Sequence, residues 1–190
     1  MELKNLFFLI KSDLYRAVGD TSVKAFLKNL LSNRSFKICL LYRMCNYFYI
    51  TNNKPLLFLF KVFNHYYQSK YCIDLSYQTQ IGSGLYLGHI FSIVVSPKAV
   101  IGKNVNLSQG VTIGFASRGD RKGYPIVGDN VYIGPGAVII GNISVGNNVA
   151  IGANCVVTKD VPDSAVVVGI PAKVISHNGS QDYVIRTDYE

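Results

Sequence analysis

The strongest constraint in this sequence is an aliphatic residue that recurs every six positions from residue 75 onward. A period of six fits neither the alternation of a flat strand nor the turn of a helix, but it suits a short strand followed by a corner. One such unit cannot close a core, so successive coils must stack, and the repeat predicts a β-helix. The series is Leu75, Ile81, Leu87, then Val95, Ile101, Leu107, Ile113, then Val127, Ile133, Ile139, Val145, Ile151 and Val157.

The first 72 residues have a different pattern. Residues 35–50 and 55–71 carry apolar side chains at mixed spacings of three and four, which is typical of helices. We therefore predict an α-helical region over residues 1–72, a β-helix over 73–176 and a tail over 177–190. The net charge of +8 belongs to the first region, which holds 11 Lys and Arg against 3 Asp and Glu, whereas residues 73–190 hold 8 of each.

Composition argues against several classes of protein. The cysteines at 39, 45, 72 and 155 form no CxxC pair or Cys/His cluster, so we expect small buried side chains rather than a disulfide framework. The apolar runs are too short to span a bilayer, and we expect a cytoplasmic protein. Its basic region is a candidate contact to the inner face of the membrane and, as an alternative that does not exclude this contact, a helical cap that covers the open first coil. Its cations are interspersed with aromatic residues rather than gathered in one stripe, so no nucleic-acid partner is expected.

Two steps break the period, one of eight residues and one of fourteen. The first lies between Leu87 and Val95 and contains His89, the only histidine of residues 73–176. The second includes a protruding polar loop over 115–125. Insertions in repeat proteins tend to lie on one functional face, so both steps are candidate functional elements. The loop carries three cations, Arg118, Arg121 and Lys122.

Three segments, IGKNVNLSQGVTIG, IGPGAVIIGNISVGNNVAIGANCVVTKDVP and GIPAKVI, resemble the hexapeptide-repeat acyltransferases. The resemblance implies a mainly β fold, a left-handed parallel β-helix with three six-residue faces per coil. It also implies a homotrimer in which the cofactor groove lies between adjacent subunits. Hexapeptide folds include zinc carbonic anhydrases, but a zinc site needs several histidines from adjacent coils, so no metal is expected here.

The segment IDLSYQTQIGSGLYLGHIFSIVV is similar to the serine acetyltransferase branch of this family. In that branch an aspartate precedes the catalytic histidine by fifteen residues, and Asp74 and His89 have this spacing. The resemblance implies that His89 is the general base that takes the proton of the acceptor hydroxyl. Asp74 would orient the imidazole and stabilise the imidazolium.

The same resemblance implies that acetyl-CoA lies along the C-terminal coils. Pro135 and Ala153 are eighteen residues apart, which is one coil, so they should stack beside the pantetheine arm, and lysines should meet the phosphates. The matching positions are Pro135 in IGPGAV, Ala153 in IGANCVV, Thr158 and Lys159 in VVTKDVP, and Lys173 in GIPAKVI.

The acceptor is where this sequence departs from the serine acetyltransferase pattern. Gly88 stands where that branch has an aspartate directly before the catalytic histidine. Lys122 stands where it has a histidine after Gly-Asp-Arg, and Tyr124 follows close behind. Arg121 is retained. We therefore interpret Gly88, Arg121, Lys122 and Tyr124 as acceptor-binding residues.

The short, basic, aromatic leader resembles acetyltransferases of surface-polysaccharide biosynthesis, such as the colanic acid type. Our main prediction is an acetyl-CoA-dependent O-acetyltransferase that acts on a sugar hydroxyl of a capsule, O-antigen or exopolysaccharide intermediate. Its acceptor would be a saccharide or a lipid-linked glycan. The alternatives are serine O-acetyltransferase of cysteine biosynthesis and a non-catalytic β-helix scaffold.

Overall fold

The computed structural model describes residues 2–189, and it begins with four helices. These are α1 (Leu3–Val18), α2 (Val23–Ser32), α3 (Arg34–Ile50) and α4 (Lys54–Tyr71). The side chains of Ser22, Asn33 and Asn53 cap α2, α3 and α4 by accepting a backbone N–H of the first turn. Pro55 lies in the first turn of α4, where its missing N–H removes no helical hydrogen bond.

Fifteen short strands follow within the described residues. They are β1 (Asp74–Leu75), β2 (Gln80–Ile81), β3 (Tyr86–Leu87), β4 (Val94–Val95), β5 (Val100–Ile101), β6 (Asn106–Leu107), β7 (Thr112–Gly114), β8 (Ile126–Val127), β9 (Tyr132–Ile133), β10 (Val138–Ile140), β11 (Ser144–Val145), β12 (Ala150–Ile151), β13 (Val156–Val157), β14 (Val166–Val168) and β15 (Lys173–Ser176).

The strands form three sheets, A, B and C, which the chain visits in that order from β1 to β13. Sheet A contains β1, β4, β7, β10 and β13, sheet B contains β2, β5, β8 and β11, and sheet C contains β3, β6, β9, β12, β14 and β15. Pairing is parallel except between β14 and β15. This topology confirms the predicted parallel β-helix with a helical region before it.

The six-residue series forms the inner wall of the β-helix. All its members are buried, with at most 7% of any residue exposed. The structure adds a second inward row that the sequence analysis did not identify, two positions before most members of the series. At these corners the backbone turns sharply, so the second side chain of the unit also points into the core. The second row comprises Leu85, Ile93, Ala99, Val105, Val111, Val131, Ala137, Ile143, Val149 and Cys155.

Asparagine residues hold the corner between sheets B and C. Asn104, Asn130 and Asn148 have positive φ angles of 55°, 56° and 56°, a conformation that asparagine adopts more readily than most residues. Asn104 Nδ2 donates to Asn130 Oδ1 at 2.9 Å, and Asn130 Nδ2 donates to Asn148 Oδ1 at 3.1 Å. The coils are therefore joined here by side chains as well as by backbone hydrogen bonds.

The C-terminal tail (residues 177–189) returns along this same corner. The Ser180 hydroxyl donates to the carbonyl of Asn130 in the middle coils. The Tyr189 hydroxyl is hydrogen-bonded to the Ser83 hydroxyl of the first coil at 3.1 Å. The tail therefore spans the corner from the last coils back to the first.

A buried ion pair docks the helices on the open first coil. Arg43 of α3 donates through Nε and Nη2 to the carboxylate of Asp13 in α1, at 2.8 and 3.0 Å. Arg43 also donates to the carbonyls of Ile81 and Gly82, and the Leu85 N–H donates to Asp13. Burial raises the pKa of Asp13, and the charge of Arg43 opposes this shift. The pair thus joins two helices to one corner of the β-helix.

Three of the four cysteines are buried. Cys39, Cys45 and Cys155 are buried as expected, but Cys72 is exposed, so the expectation is wrong for that residue. Cys72 ends α4 in the left-handed conformation, on the link to β1. Within residues 2–189, no helix has the length and apolar character needed to cross a bilayer.

The ion pair predicts a large stability effect. Asp13→Ala leaves the buried Arg43 guanidinium without its counter-charge, and we expect the free energy of unfolding to fall by about 3–5 kcal/mol. Urea unfolding followed by circular dichroism measures this change. Asp120→Ala, which removes an exposed carboxylate from the 115–125 loop, is the matched control. Equal effects of the two substitutions would contradict the assigned role of the pair.

Candidate active site

His89 lies at the corner between sheets C and A in the first coil, on the connection from β3 to β4. Its side chain is exposed. The Phe91 N–H donates to the His89 carbonyl at 3.1 Å, and the Ser92 N–H donates to the carbonyl of Tyr71 at 3.2 Å. The eight-residue step is therefore a turn that presents His89 outward and is fastened to the end of α4.

His89 lines a groove of about 610 Å³ that lies between this turn and the junction of α2 and α3. The polar side of the groove was not identified from sequence, because residues 29–35 belong to a helical segment with no motif. Only the docking of the helices on the first coil brings them opposite His89. Among the residues that line the groove are Asn29, Ser32, Asn33, Arg34, Tyr71 and Gly88.

Asp74 lies at the same corner, at the start of β1. Its N–H donates to the carbonyl of Ile93 at 2.8 Å, which holds it beside the turn that carries His89. Its exposed carboxylate faces a second groove, shared with Lys61 and His65 of α4. Within residues 2–189 there is no hydrogen bond between Asp74 and His89, so their pairing stays a prediction.

A line of turns continues from His89 along the corner between sheets C and A. At each level a backbone N–H donates to a carbonyl of the neighbouring turn. The donor and acceptor residues are Gly110 and Phe91 at 2.9 Å, Gly136 and Gln109 at 2.9 Å, and Asn154 and Pro135 at 2.8 Å. Since Ile133 pairs with Ile151, Pro135 and Ala153 lie on adjacent coils, in agreement with their eighteen-residue spacing.

Gln109 belongs to this line and was not singled out from sequence. It lies between the level of His89 and the level of Pro135. Its side-chain Oε1 is buried, and no hydrogen-bond partner for it exists among the described residues. A buried acceptor without a partner is costly, so this oxygen is available to an N–H group of a ligand lying along the corner.

The remaining predicted cofactor residues lie together at the far end of the β-helix. Thr158 and Lys159 follow β13 and line a small cleft of about 80 Å³ with Pro171 and Ala172. Lys173 comes directly after these two residues and begins β15. Both lysines are exposed, so both ammonium groups are accessible to an anionic ligand. Nothing within residues 2–189 brings three His, Cys, Asp or Glu side chains together as a metal site.

The 115–125 loop lies at a different corner, between sheets A and B. An antiparallel bridge between Ala116 and Gly123 closes it. Arg121 Nη1 donates to the exposed carboxylate of Asp160 at 2.9 Å. The N–H of Ser144 and the hydrogen bond from Arg121 lower the pKa of Asp160.

The loop position divides the predicted acceptor-binding residues into two groups. Gly88 lies beside His89, whereas Arg121, Lys122 and Tyr124 lie at the corner between sheets A and B. A single chain therefore does not bring the four residues together around His89.

Comparison with known proteins identifies relatives over most of the chain. The family described as "Bacterial transferase hexapeptide (six repeats)" matches residues 124–159. The serine acetyltransferase of Synechococcus elongatus is 31% identical over 160 residues, which are 84% of this chain and 64% of that protein. The chain thus spans slightly less than two thirds of the length of this curated relative.

Solved structures extend the match to the helices. The crystal structure of Neisseria gonorrhoeae serine acetyltransferase in complex with serine superimposes with a TM-score of 0.74 and 30% identity, covering 92% of this chain and 70% of that chain. A serine acetyltransferase in complex with CoA gives a TM-score of 0.69 and 31% identity, covering 90% and 68% of the two chains.

These relatives overturn the main functional prediction. The interpretation as a polysaccharide O-acetyltransferase of the colanic acid type, with a saccharide or lipid-linked glycan acceptor, is wrong, because the matching relatives are serine acetyltransferases. Gly88, the loop and the basic leader are local features, and they do not outweigh a match over most of the chain. The match to the N. gonorrhoeae enzyme covers 92% of the chain, which includes most of the leader. The chain belongs to the hexapeptide-repeat transferase family, in the branch formed by the serine acetyltransferases.

Proposed function

We propose that this protein is an acetyl-CoA-dependent serine O-acetyltransferase with His89 as general base. The observation that carries the proposal is the match to the serine-bound N. gonorrhoeae enzyme, which runs through the helices as well as the coils. We further propose that the β-helix is left-handed and that the protein is a homotrimer, as the family resemblance implies. The position of His89 in an open groove supports its role.

In the proposed mechanism, neutral His89 accepts the proton of the serine hydroxyl while the oxygen attacks the thioester carbonyl. The tetrahedral intermediate carries an oxyanion that a backbone N–H at the corner stabilises. Its collapse breaks the carbon–sulfur bond, and the imidazolium returns its proton to the CoA thiolate. Asp74 acts when its carboxylate accepts the second imidazole N–H, so it must turn from the groove that it shares with Lys61 toward His89.

Acetyl-CoA would lie along the corner between sheets C and A. Pro135 and Ala153 would flank the pantetheine arm, and the unpaired Oε1 of Gln109 would accept one of its amide N–H groups. At the far end, Thr158, Lys159 and Lys173 would hold the phosphates. The solved serine acetyltransferase complex with CoA supports CoA as the donor. The cleft shared by Thr158 and Lys159 supports their common role.

The position of the loop supports a site shared between subunits. Arg121, Lys122 and Tyr124 lie one corner away from His89 within a chain, so they would reach the acceptor bound beside His89 of a neighbouring subunit. There Arg121 would exchange its exposed partner Asp160 for the serine carboxylate. An exposed ion pair stabilises little, so this exchange costs little.

The role of His89 is tested by thiol release from acetyl-CoA in the presence of L-serine. We expect His89→Ala to lower kcat by about 10²- to 10⁴-fold, because the hydroxyl then loses its proton acceptor. Binding of acetyl-CoA, measured by calorimetry, should be unchanged. His177→Ala, in the exposed part of the tail, is the matched control. Failure of the wild-type protein to release thiol with L-serine would contradict the proposed acceptor.

Gly88 offers a gain-of-function test of the acceptor. A Cβ atom placed on Gly88 would meet only Tyr86, at 3.9 Å, so a side chain fits there. We expect Gly88→Asp to lower KM for L-serine about tenfold, because the carboxylate would bind the serine ammonium group. Gly88→Asn, which has the same shape and no charge, is the control. Improvement by both variants alike would argue against recognition of the ammonium group.

Mixed oligomers test the sharing of the site between subunits. His89→Ala and Arg121→Ala chains should each be inactive as homotrimers. Unfolded together in equal amounts and refolded, they should regain about one quarter of the wild-type activity, since that share of interfaces combines an intact His89 with an intact Arg121. If the mixture stays as inactive as its parents, both residues act within one chain.

A further inference from the structure

The outward face of α4 is apolar and has no partner within residues 2–189. Helix geometry places five of its large apolar side chains on one side, opposite Asn64 and Gln68, which are buried. Gln68 is buried because it exchanges two hydrogen bonds with the backbone of Leu75. The inward side also packs apolar residues, such as Tyr67 and Tyr71, so the helix is apolar on both sides. The five outward side chains are Phe58, Leu59, Val62, Phe63 and Tyr66, with exposed fractions between 49% and 73%.

A second apolar feature adjoins α4. A groove of about 410 Å³ lies between α1 and α3 and is lined by Leu6, Phe7, Ile10 and other residues. Phe48 closes one side of the groove and stacks on Phe60 of α4, with ring centroids 5.4 Å apart. The apolar surface of the helical region thus extends from α4 to the start of α1.

The charge around this face is mainly positive. Residues 21–73 contain eight Lys and Arg and no Asp or Glu. Arg43 is neutralised by Asp13 in the core, whereas Lys54, Lys61 and Lys70 of α4 are exposed. The exposed carboxylate nearest to α4 is that of Asp74, in the groove that it shares with Lys61. An apolar strip flanked by three lysines suits a surface that is apolar within and anionic at its boundary.

This charge distribution argues against a second copy of the chain as the occupant. A two-fold contact through this face would bring cations against cations. Several acids of the β-helix are already engaged, because Asp129, Asp160 and Asp163 accept backbone N–H groups at the corners. An external anionic partner is therefore the better match.

We propose that the outward face of α4 binds the surface of a bilayer that contains anionic phospholipid. The five apolar side chains would enter the boundary between headgroups and acyl chains, and the three lysines would pair with lipid phosphates. The contact is peripheral, since the helix lies along the surface. It is independent of the proposed acetyl transfer.

Vesicle co-sedimentation tests this contact with the full chain. We expect binding to vesicles of equal parts phosphatidylglycerol and phosphatidylcholine, and little binding to pure phosphatidylcholine. Phe58→Ser combined with Val62→Ser should lower the partition coefficient at least tenfold, since two apolar side chains that would enter the bilayer are replaced by hydroxyl groups. Ile185→Ser, which removes a 52% exposed side chain from the tail, is the matched control and should bind as the wild type does.

A second variant keeps the test decisive if the double variant with Phe58→Ser and Val62→Ser does not fold. This variant combines Lys54→Gln, Lys61→Gln and Lys70→Gln and leaves the apolar face intact. Each substitution should contribute a decrease of about fivefold in the partition coefficient. Equal binding to both kinds of vesicle, or unchanged binding of both variants, would overturn the proposal. A lower native mass of the double variant with Phe58→Ser and Val62→Ser, measured by light scattering, would also overturn the proposal. It would mean that a second copy of the chain covers this face in the wild-type protein.

Discussion

The stacking of coils holds this protein together and sets the place of every functional residue in the β-helix. A six-residue unit buries only one or two side chains and leaves its strand edges unpaired, so it is stable only between two others. Parallel hydrogen bonds between coils satisfy those edges, and they keep each corner directly above the corner of the coil before. Every residue at a corner therefore belongs to a line that runs the length of the β-helix.

The three lines of corners have three different compositions. The corner between sheets B and C carries the asparagine ladder and the returning tail, and it also receives the helices at Gly82 and Leu85. The corner between sheets C and A carries His89, Pro135 and Ala153, whereas Thr158 and Lys159 follow β13 of sheet A toward Val161, which bridges to Val145 of sheet B. The corner between sheets A and B carries the protruding loop. Because coil stacking keeps these lines apart, one chain does not bring His89 and the protruding loop together.

The helical region covers the open end of the β-helix. The first coil has an open end, and the helices cover it with apolar residues from α3 that join the core of the β-helix, among them Ile38 and Tyr42. The buried ion pair between Asp13 and Arg43 fixes the orientation of α1 and α3, since both oxygens of Asp13 and three nitrogens of Arg43 form hydrogen bonds. The same docking forms the groove beside His89 and leaves the apolar side of α4 facing outward.

The β-helix follows from the sequence alone, because a period of six has few other physical solutions. The two interruptions, and the histidine in one of them, can also be read directly from the sequence. The second inward row, Gln109 and the groove residues near Arg34 were decided by tertiary structure, since each depends on where a corner or a docked helix lies in space. The acceptor was inferred wrongly from sequence because Gly88 and the loop are local features, whereas the relatives match the whole chain. The separation of Arg121 from His89 also required the structure, because only the order of the sheets shows that they occupy different corners.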